Sequence, residues 1–300
     1  LTFEREDGKT MCLRPDLTVA SCISFLQKKS FSKIYYSGQA YRRSGNKGTN
    51  FINDQLGIEI LGSKNQIQDD FKVISTILSS AKKIKRKKIQ IKVGDVSLFK
   101  SLINTLDMPE RWKLRLIRHF WRPSYFEELL KRLEKSADID SIAFDSDKKR
   151  FNEMKKLRHK KEIAGRSIEE ILKRFEKKIR DPRSFNEGKK TVKIIKSFLK
   201  INCKLTKLDK NLIDFSKKNN IKIDIFKNLK SIQNLKKLKQ EVKFVTNFGR
   251  EVEYYTGLVF EVYSGKKEIA RGGRYDNLLK SLGAKKNIPA VGAAINLKNI

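Results

Sequence analysis

Two stretches that alternate apolar and polar residues stand at opposite ends of this 300-residue chain, with a long helical middle between them. Strand-rich ends around a helical middle suggest one sheet whose two halves come together from distant sequence. In the first third, Lys33 to Arg43, Asn53 to Gly62 and Ile89, Ile91 and Val93 alternate, the last run closed by Gly94. Ser63-Lys64-Asn65-Gln66 has the form of a capping box, and Ile67, Phe71, Ile74, Leu78, Ala81 and Ile84 then recur at helical spacing. From about 95 to 204 the apolar stripes are helical, at 111–120, 125–133, 168–179 and 190–199. Alternation returns in Lys243 to Thr246, in Tyr254 to Tyr263 and, after the turn Ser264-Gly265-Lys266, in Ile269 to Arg274. The expected architecture is α+β: an antiparallel sheet flanked by helices, its core built from 1–94 and 205–300, with a mainly helical insertion over 95–204.

At 39% hydrophobic residues the chain can bury a core. No apolar run approaches the roughly 20 residues of a membrane span and no leader precedes the first strand, so the expected location is cytoplasmic. The chain opens on Leu1 rather than Met, inside a strand-like run, which implies sequence upstream. Cys12, Cys22 and Cys203 are odd in number and lack paired spacing, as reduced thiols would. His119 and His159 have no metal-ligand neighbours in sequence, so neither a metal nor a cofactor is expected. A net charge of +34 invites a nucleic-acid partner. The lysines, however, are spread along the whole chain, as AT-rich coding alone produces, and the densest run, Lys82 to Lys88, falls where cations complement a helix end.

Period-2 alternation puts Gln55, Gly57 and Glu59 on one face of their strand and Leu56, Ile58 and Ile60 on the other. A glycine between an amide and a carboxylate leaves room for a ligand on the strand, and the pair suits an amine or imidazole. An ordinary half-exposed strand has the same pattern. Gly38, Ala40 and Arg42 likewise share a face, so an arginine projects past two small residues toward a carboxylate ligand or toward water.

Leu13-Arg14-Pro15-Asp16-Leu17-Thr18 resembles the L-R-P-[ED]-x-T stretch of histidyl-tRNA synthetases and their paralogues. Tyr41-Arg42 with Gln55-Leu56-Gly57-Ile58-Glu59-Ile60-Leu61-Gly62 resembles class II motif 2. Arg250 with Glu253-Tyr254-Tyr255-Thr256-Gly257-Leu258-Val259-Phe260-Glu261 is similar to the histidine-specific motif of that family. Ala270-Arg271-Gly272-Gly273-Arg274-Tyr275-Asp276 with Pro289-Ala290-Val291-Gly292 resembles the approach to motif 3. The resemblance implies a class II synthetase fold and a histidine pocket: Asp16 and Thr18 at the amino group, Arg42 and Gln55 along the polar edge, Glu59, Tyr254 and Tyr255 around the imidazole, and Arg250 retained among the histidine-binding residues.

The departures bear on function. The motif 2 glutamate position is Ser44, the following loop to Ile52 carries no arginine, and the motif 3 arginine position is Asn299. Losing those charges removes several kcal/mol of transition-state stabilisation for adenylation, about the scale of one or more lost electrostatic donors. A retained amino-acid pocket without a nucleotide pocket, with the 109–123 segment, is similar to the non-catalytic paralogues that regulate ATP phosphoribosyltransferase. That likeness implies no catalytic residues, a hetero-oligomer with a short catalytic subunit, a homodimer, L-histidine as ligand and feedback inhibitor, and neither membrane nor nucleic acid as partner. The alternatives are an active histidyl-tRNA synthetase fragment and a non-catalytic nucleic-acid-binding paralogue.

Overall fold

The computed structural model describes residues 2–28, 32–41, 52–84, 89–135, 141–157, 162–163, 166–179, 185–222, 229–248 and 253–299. In chain order the elements are β1 (Thr2–Glu4), β2 (Thr10–Cys12), α1 (Thr18–Lys28), β3 (Lys33–Tyr41), β4 (Ile52–Leu61), α2 (Gln66–Ile84), β5 (Ile89–Asp95), α3 (Val96–Thr105), α4 (Glu110–His119), α5 (Pro123–Lys135) and α6 (Ser141–Lys156). There follow β6 (Glu162–Ile163), β7 (Arg166–Ser167), α7 (Ile168–Ile179), α8 (Phe185–Leu199), β8 (Asn202–Lys204), α9 (Leu208–Asn219), α10 (Lys230–Asn234), β9 (Val242–Val245), β10 (Leu258–Ser264), β11 (Lys267–Arg274), α11 (Leu278–Ser281) and β12 (Ala290–Asn296). None of the described helices is long and apolar enough to cross a membrane.

The chain folds into two compact units, one of residues 1–98, 201–214 and 226–300 and one of 99–200 with 215–225. The first holds an eight-stranded sheet in the order β3-β4-β12-β11-β10-β5-β9-β8. Strands from both chain ends alternate in it, as the separated strand signals require. The sheet is antiparallel except where β5 and β9 run parallel. Gly94 does not end its strand. It pairs with Val259 inside the β5–β10 ladder, where an added Cβ would lie 2.8 Å from the Val245 carbonyl oxygen.

Helix α2 covers one face, burying Val73, Ile74, Ile77, Leu78 and Ala81. Its cap is Asn65 rather than Ser63: Asn65 Oδ1 accepts the Gln68 amide at 3.2 Å, while the Ser63 hydroxyl donates to Asp69 at 2.7 Å. Asn65 precedes the first helical residue directly, so only its side chain reaches the free amides of the first turn. At the end of β11, Arg274 donates to Asp70 of α2 at 2.5 and 3.0 Å and to Asp276 at 2.9 Å. Asp70 is 1% exposed and Arg274 5%, so this pair ties α2 to the sheet without water.

Among the described residues, the regular elements of the second unit are helices apart from the two-residue strands β6 and β7. Its core includes Phe99 stacked on Phe120 at 3.9 Å, with Phe126 edge-on to both. Of its helices, α4, α5, α7 and α8 match the apolar stripes of the sequence, whereas α3 and α6 lie outside those stripes.

Removing one partner of a buried ion pair strands the other's charge. Arg274→Met should therefore lower the unfolding free energy in urea by about 3–5 kcal/mol, and adding Asp70→Asn to the same chain should restore part of the loss.

Candidate functional site

The sheet face away from α2 is paved with residues that have little or no side chain. Register aligns Gly57 with Ala294, Glu59 with Gly292, and Gly292 in turn with Gly273. Other groups settle directly onto this backbone. A Cβ at Gly292 would fall 1.4 Å from Glu59 Oε2, and one at Gly273 would fall 2.8 Å from the Tyr255 ring. At Gly57 the space expected for a ligand is taken by Tyr36, the residue opposite it on β3, whose ring would sit 2.0 Å from a Cβ there. Glycine is needed at 57 for a neighbour's side chain, not for an empty slot.

Glu59 is fully buried on this floor and surrounded by hydroxyls. Thr18 Oγ1 donates to Oε1 at 2.8 Å, the Tyr275 hydroxyl donates to Oε2, and Tyr36 also hydrogen-bonds the carboxylate. Burial nevertheless dominates and pushes the Glu59 carboxyl up to about 7, against the pull of the three hydroxyls and with a small push from Asp16. Burial also raises the hydroxyls of Tyr36, Tyr254 and Tyr275 above the usual tyrosine range, so all three stay protonated donors. The Cys22 thiol beneath is pushed up to about 12 by burial and by Glu59 and Asp16, which keeps it an inert thiol.

Two segments roof the floor. The first is the start of α1, where Asp16 accepts the Val19 amide at 3.1 Å and so caps the helix while lining the cavity. The second is the turn at 253–256, which alternation alone assigns to a strand; β10 begins only at Leu258. Tyr254 stands edge-on to Tyr255 and to Tyr275, at 5.2 and 5.7 Å between ring centres. Thr256 anchors the turn, its amide donating to the Arg274 carbonyl at 2.8 Å and its hydroxyl accepting the Asp276 amide at 3.1 Å.

Asp16, Thr18, Gln55, Tyr254 and Tyr255 thus come together around one cavity. Glu59 lies under its floor rather than in its wall. Arg42 and Arg250 fall outside the described residues, as does Ser44. Sequence reasoning misses Tyr36, Arg271 and Tyr275, which complete the lining. Tyr36 shares the period-2 face of Gly38 and is legible in that pattern; Arg271 and Tyr275 stand within the stretch that resembles the approach to motif 3. Arg271 is held at the cavity's edge by Glu268, at 2.6 and 2.7 Å. The space enclosed is about 30 Å³, roughly one water. Asn299, at the motif 3 arginine position, donates to the Glu268 carbonyl oxygen at 2.7 Å.

The folded Glu59 carboxyl keeps its proton to about pH 7, whereas the ordinary value of 4.5 governs the unfolded chain. The folded state is the better proton binder between those values, so this group's contribution is complete below the lower one and is lost as pH rises through the upper. Urea melts at pH 5 and pH 8 should show a loss of roughly 3 kcal/mol from this group, and Glu59→Gln should remove that share of the pH dependence.

A family model for histidyl-tRNA synthetase matches residues 1–300. The ATP phosphoribosyltransferase regulatory subunit of Allorhizobium ampelinum is 28% identical over 318 residues, covering 99% of this chain and 85% of that protein. Among solved structures, an ATP phosphoribosyltransferase regulatory subunit/histidyl-tRNA synthetase from Bacillus halodurans superposes with a TM-score of 0.56 at 18% identity, over 99% of this chain and 66% of that one. A chain of the ATP phosphoribosyl transferase (HisG:HisZ) complex from Thermotoga maritima does so at 0.53 and 19%, over 99% and 85%. At such identities the two structures establish the class II synthetase-like fold. With the family's model spanning the full chain, this protein belongs to the histidyl-tRNA synthetase family.

Proposed function

We propose that this chain is the non-catalytic regulatory subunit of an ATP phosphoribosyltransferase, activating a short catalytic subunit and relaying feedback inhibition by histidine in the cytoplasm. The observation that supports the reading is the convergence of the residues expected for an amino-acid pocket, together with Asn299 where a synthetase would carry the motif 3 arginine. Asp16, Thr18, Gln55, Tyr254 and Tyr255 converge on one space, whereas Asn299 spends its amide on a backbone carbonyl and offers no positive charge. The regulatory-subunit names of relatives aligned over 99% of the chain support it.

In this reading Asp16 meets the amino group of histidine, Gln55 its polar edge, and Tyr254 and Tyr255 its ring, with Arg42 and Arg250 added along the carboxylate side. Glu59 acts through the hydroxyls it orders: by taking their hydrogens it leaves their oxygens as acceptors toward the imidazole N–H. Histidine binding in this reading involves rearrangement of the 253–256 turn that lines the cavity, and a ligand that favours one arrangement can shift an assembly. We further propose the domain division 1–94 with 205–300 around an inserted 95–204, and a homodimer in which a second copy shelters the β1–β2 hairpin. All six strand residues of that hairpin are exposed, and Phe3 and Met11 pair across it at 50% and 40% exposure.

Phosphoribosyl-ATP formation by the matching short catalytic subunit should rise when the full-length form of this chain is added and fall again as histidine is titrated. No effect on that subunit, together with histidine-dependent ATP–pyrophosphate exchange, would instead establish a synthetase. By calorimetry, Asp16→Asn and Gln55→Ala should each weaken histidine binding by about 10–100-fold, the loss of one charge-assisted or one buried hydrogen bond.

A further inference from the structure

Basic charge in this chain is mostly lysine, yet one short segment departs from that rule. Both tryptophans and four arginines fall within residues 111–122, and residues 111–126 contain no Asp or Glu. Where charge alone is needed, lysine serves; arginine is chosen for planar, forked contacts and for stacking on rings.

The segment is helix α4 and its junction with α5, within the helical unit. Trp112 points inward, fully buried, with the Arg115 guanidinium 5.3 Å from its ring centre. It anchors the helix. The other side faces water. Leu114 is 50% exposed and Arg118 follows one turn later on the same stripe. Past the helix end, Arg122 lies over Trp121 at 4.6 Å, and Tyr125, 41% exposed, packs edge-on to His119 at 4.8 Å. Neither Arg118 nor Arg122 has an ionic partner among the described residues, while other exposed cations such as Lys131 and Lys204 do.

A half-buried Trp121 with exposed Tyr125, Arg118 and Arg122 around the exposed Leu114 is the composition of a protein-interface hot spot, from which lysine is depleted. Arg118 and Arg122, with no carboxylate within residues 111–126, call for carboxylates from outside, which guanidiniums take two oxygens at a time. A nucleic acid fits less well, because bases need an open aromatic face and Arg122 already covers Trp121. We infer that the α4–α5 corner, with Leu114, Arg118, Trp121, Arg122 and Tyr125, is the surface by which this chain docks an acidic face of its protein partner. This rests on the regulatory-subunit reading, in which that partner is the short catalytic subunit.

The test measures affinity of the full-length chain for the matching catalytic subunit by sedimentation at low and high salt. Arg118→Glu with Arg122→Glu should weaken association at least about 10-fold, with a flatter salt dependence, as truncating or reversing interfacial charges does. Arg118→Lys with Arg122→Lys should lose less. Histidine affinity and thermal midpoint should not change in either variant, which separates docking from folding. Unaltered association of the charge-reversed chain overturns the inference and leaves the regulatory reading standing. A wild-type chain that fails to associate at all removes both. If instead the reversed chain associates normally but loses retention of a single-stranded RNA 20-mer, the corner belongs to nucleic acid and the inference is wrong.

Discussion

A carboxylate lying against bare backbone organises this molecule. Glu59 rests where Gly292 has no side chain, and a single methyl group at 292 would occupy the same space as its Oε2. Burying an ionisable group there is costly unless it is hydrogen-bonded, and the hydroxyls of Thr18, Tyr36 and Tyr275 supply those bonds. Each hydroxyl comes from a different element, so satisfying one carboxylate draws together the start of α1, strand β3 and the segment after β11. The cavity is what remains above that arrangement.

The opposite face holds a buried charge pair. Arg274 and Asp70 join residues 204 positions apart, and the chain reverses at Asp276, whose carboxylate also accepts the Ala290 amide at 2.9 Å. Thr256 bonds to both Arg274 and Asp276, so the turn bearing Tyr254 and Tyr255 is fastened to the same corner that secures α2. Site and scaffold therefore share a joint. Hydrogen bonds through Arg274 and Asp276 thus connect the tyrosine turn to the start of α2.

Local periodicity is enough to place β3, β4, β5 and α2 and to sort Gln55 and Glu59 onto one face, because side chains alternate along a strand even where, as at 58–61, both faces are buried. It is silent on what crosses from a neighbouring strand. Tyr36 filling the slot at Gly57 depends on register between β3 and β4, which no single strand encodes. Helix α6, Ser141–Lys156, carries mostly charged, exposed residues over its second half and so lacks the apolar stripe that marks a helix from sequence. The family motifs mark Asp16, Thr18, Tyr254 and Tyr255 as a group, although their contact depends on two chain segments more than 230 positions apart.

The pairing of β4 with β12 also governs when the site can exist. Glu59 leaves the ribosome early, but its resting place on Gly292 is made more than 200 residues later. Until then β4 has one ladder partner at most, and a strand edge left open in a nascent chain is free to pair with the wrong neighbour. Closing so long a loop before any contact rewards it slows folding. This chain is thus expected to lean on chaperones during synthesis far more than one whose site is assembled from adjacent strands.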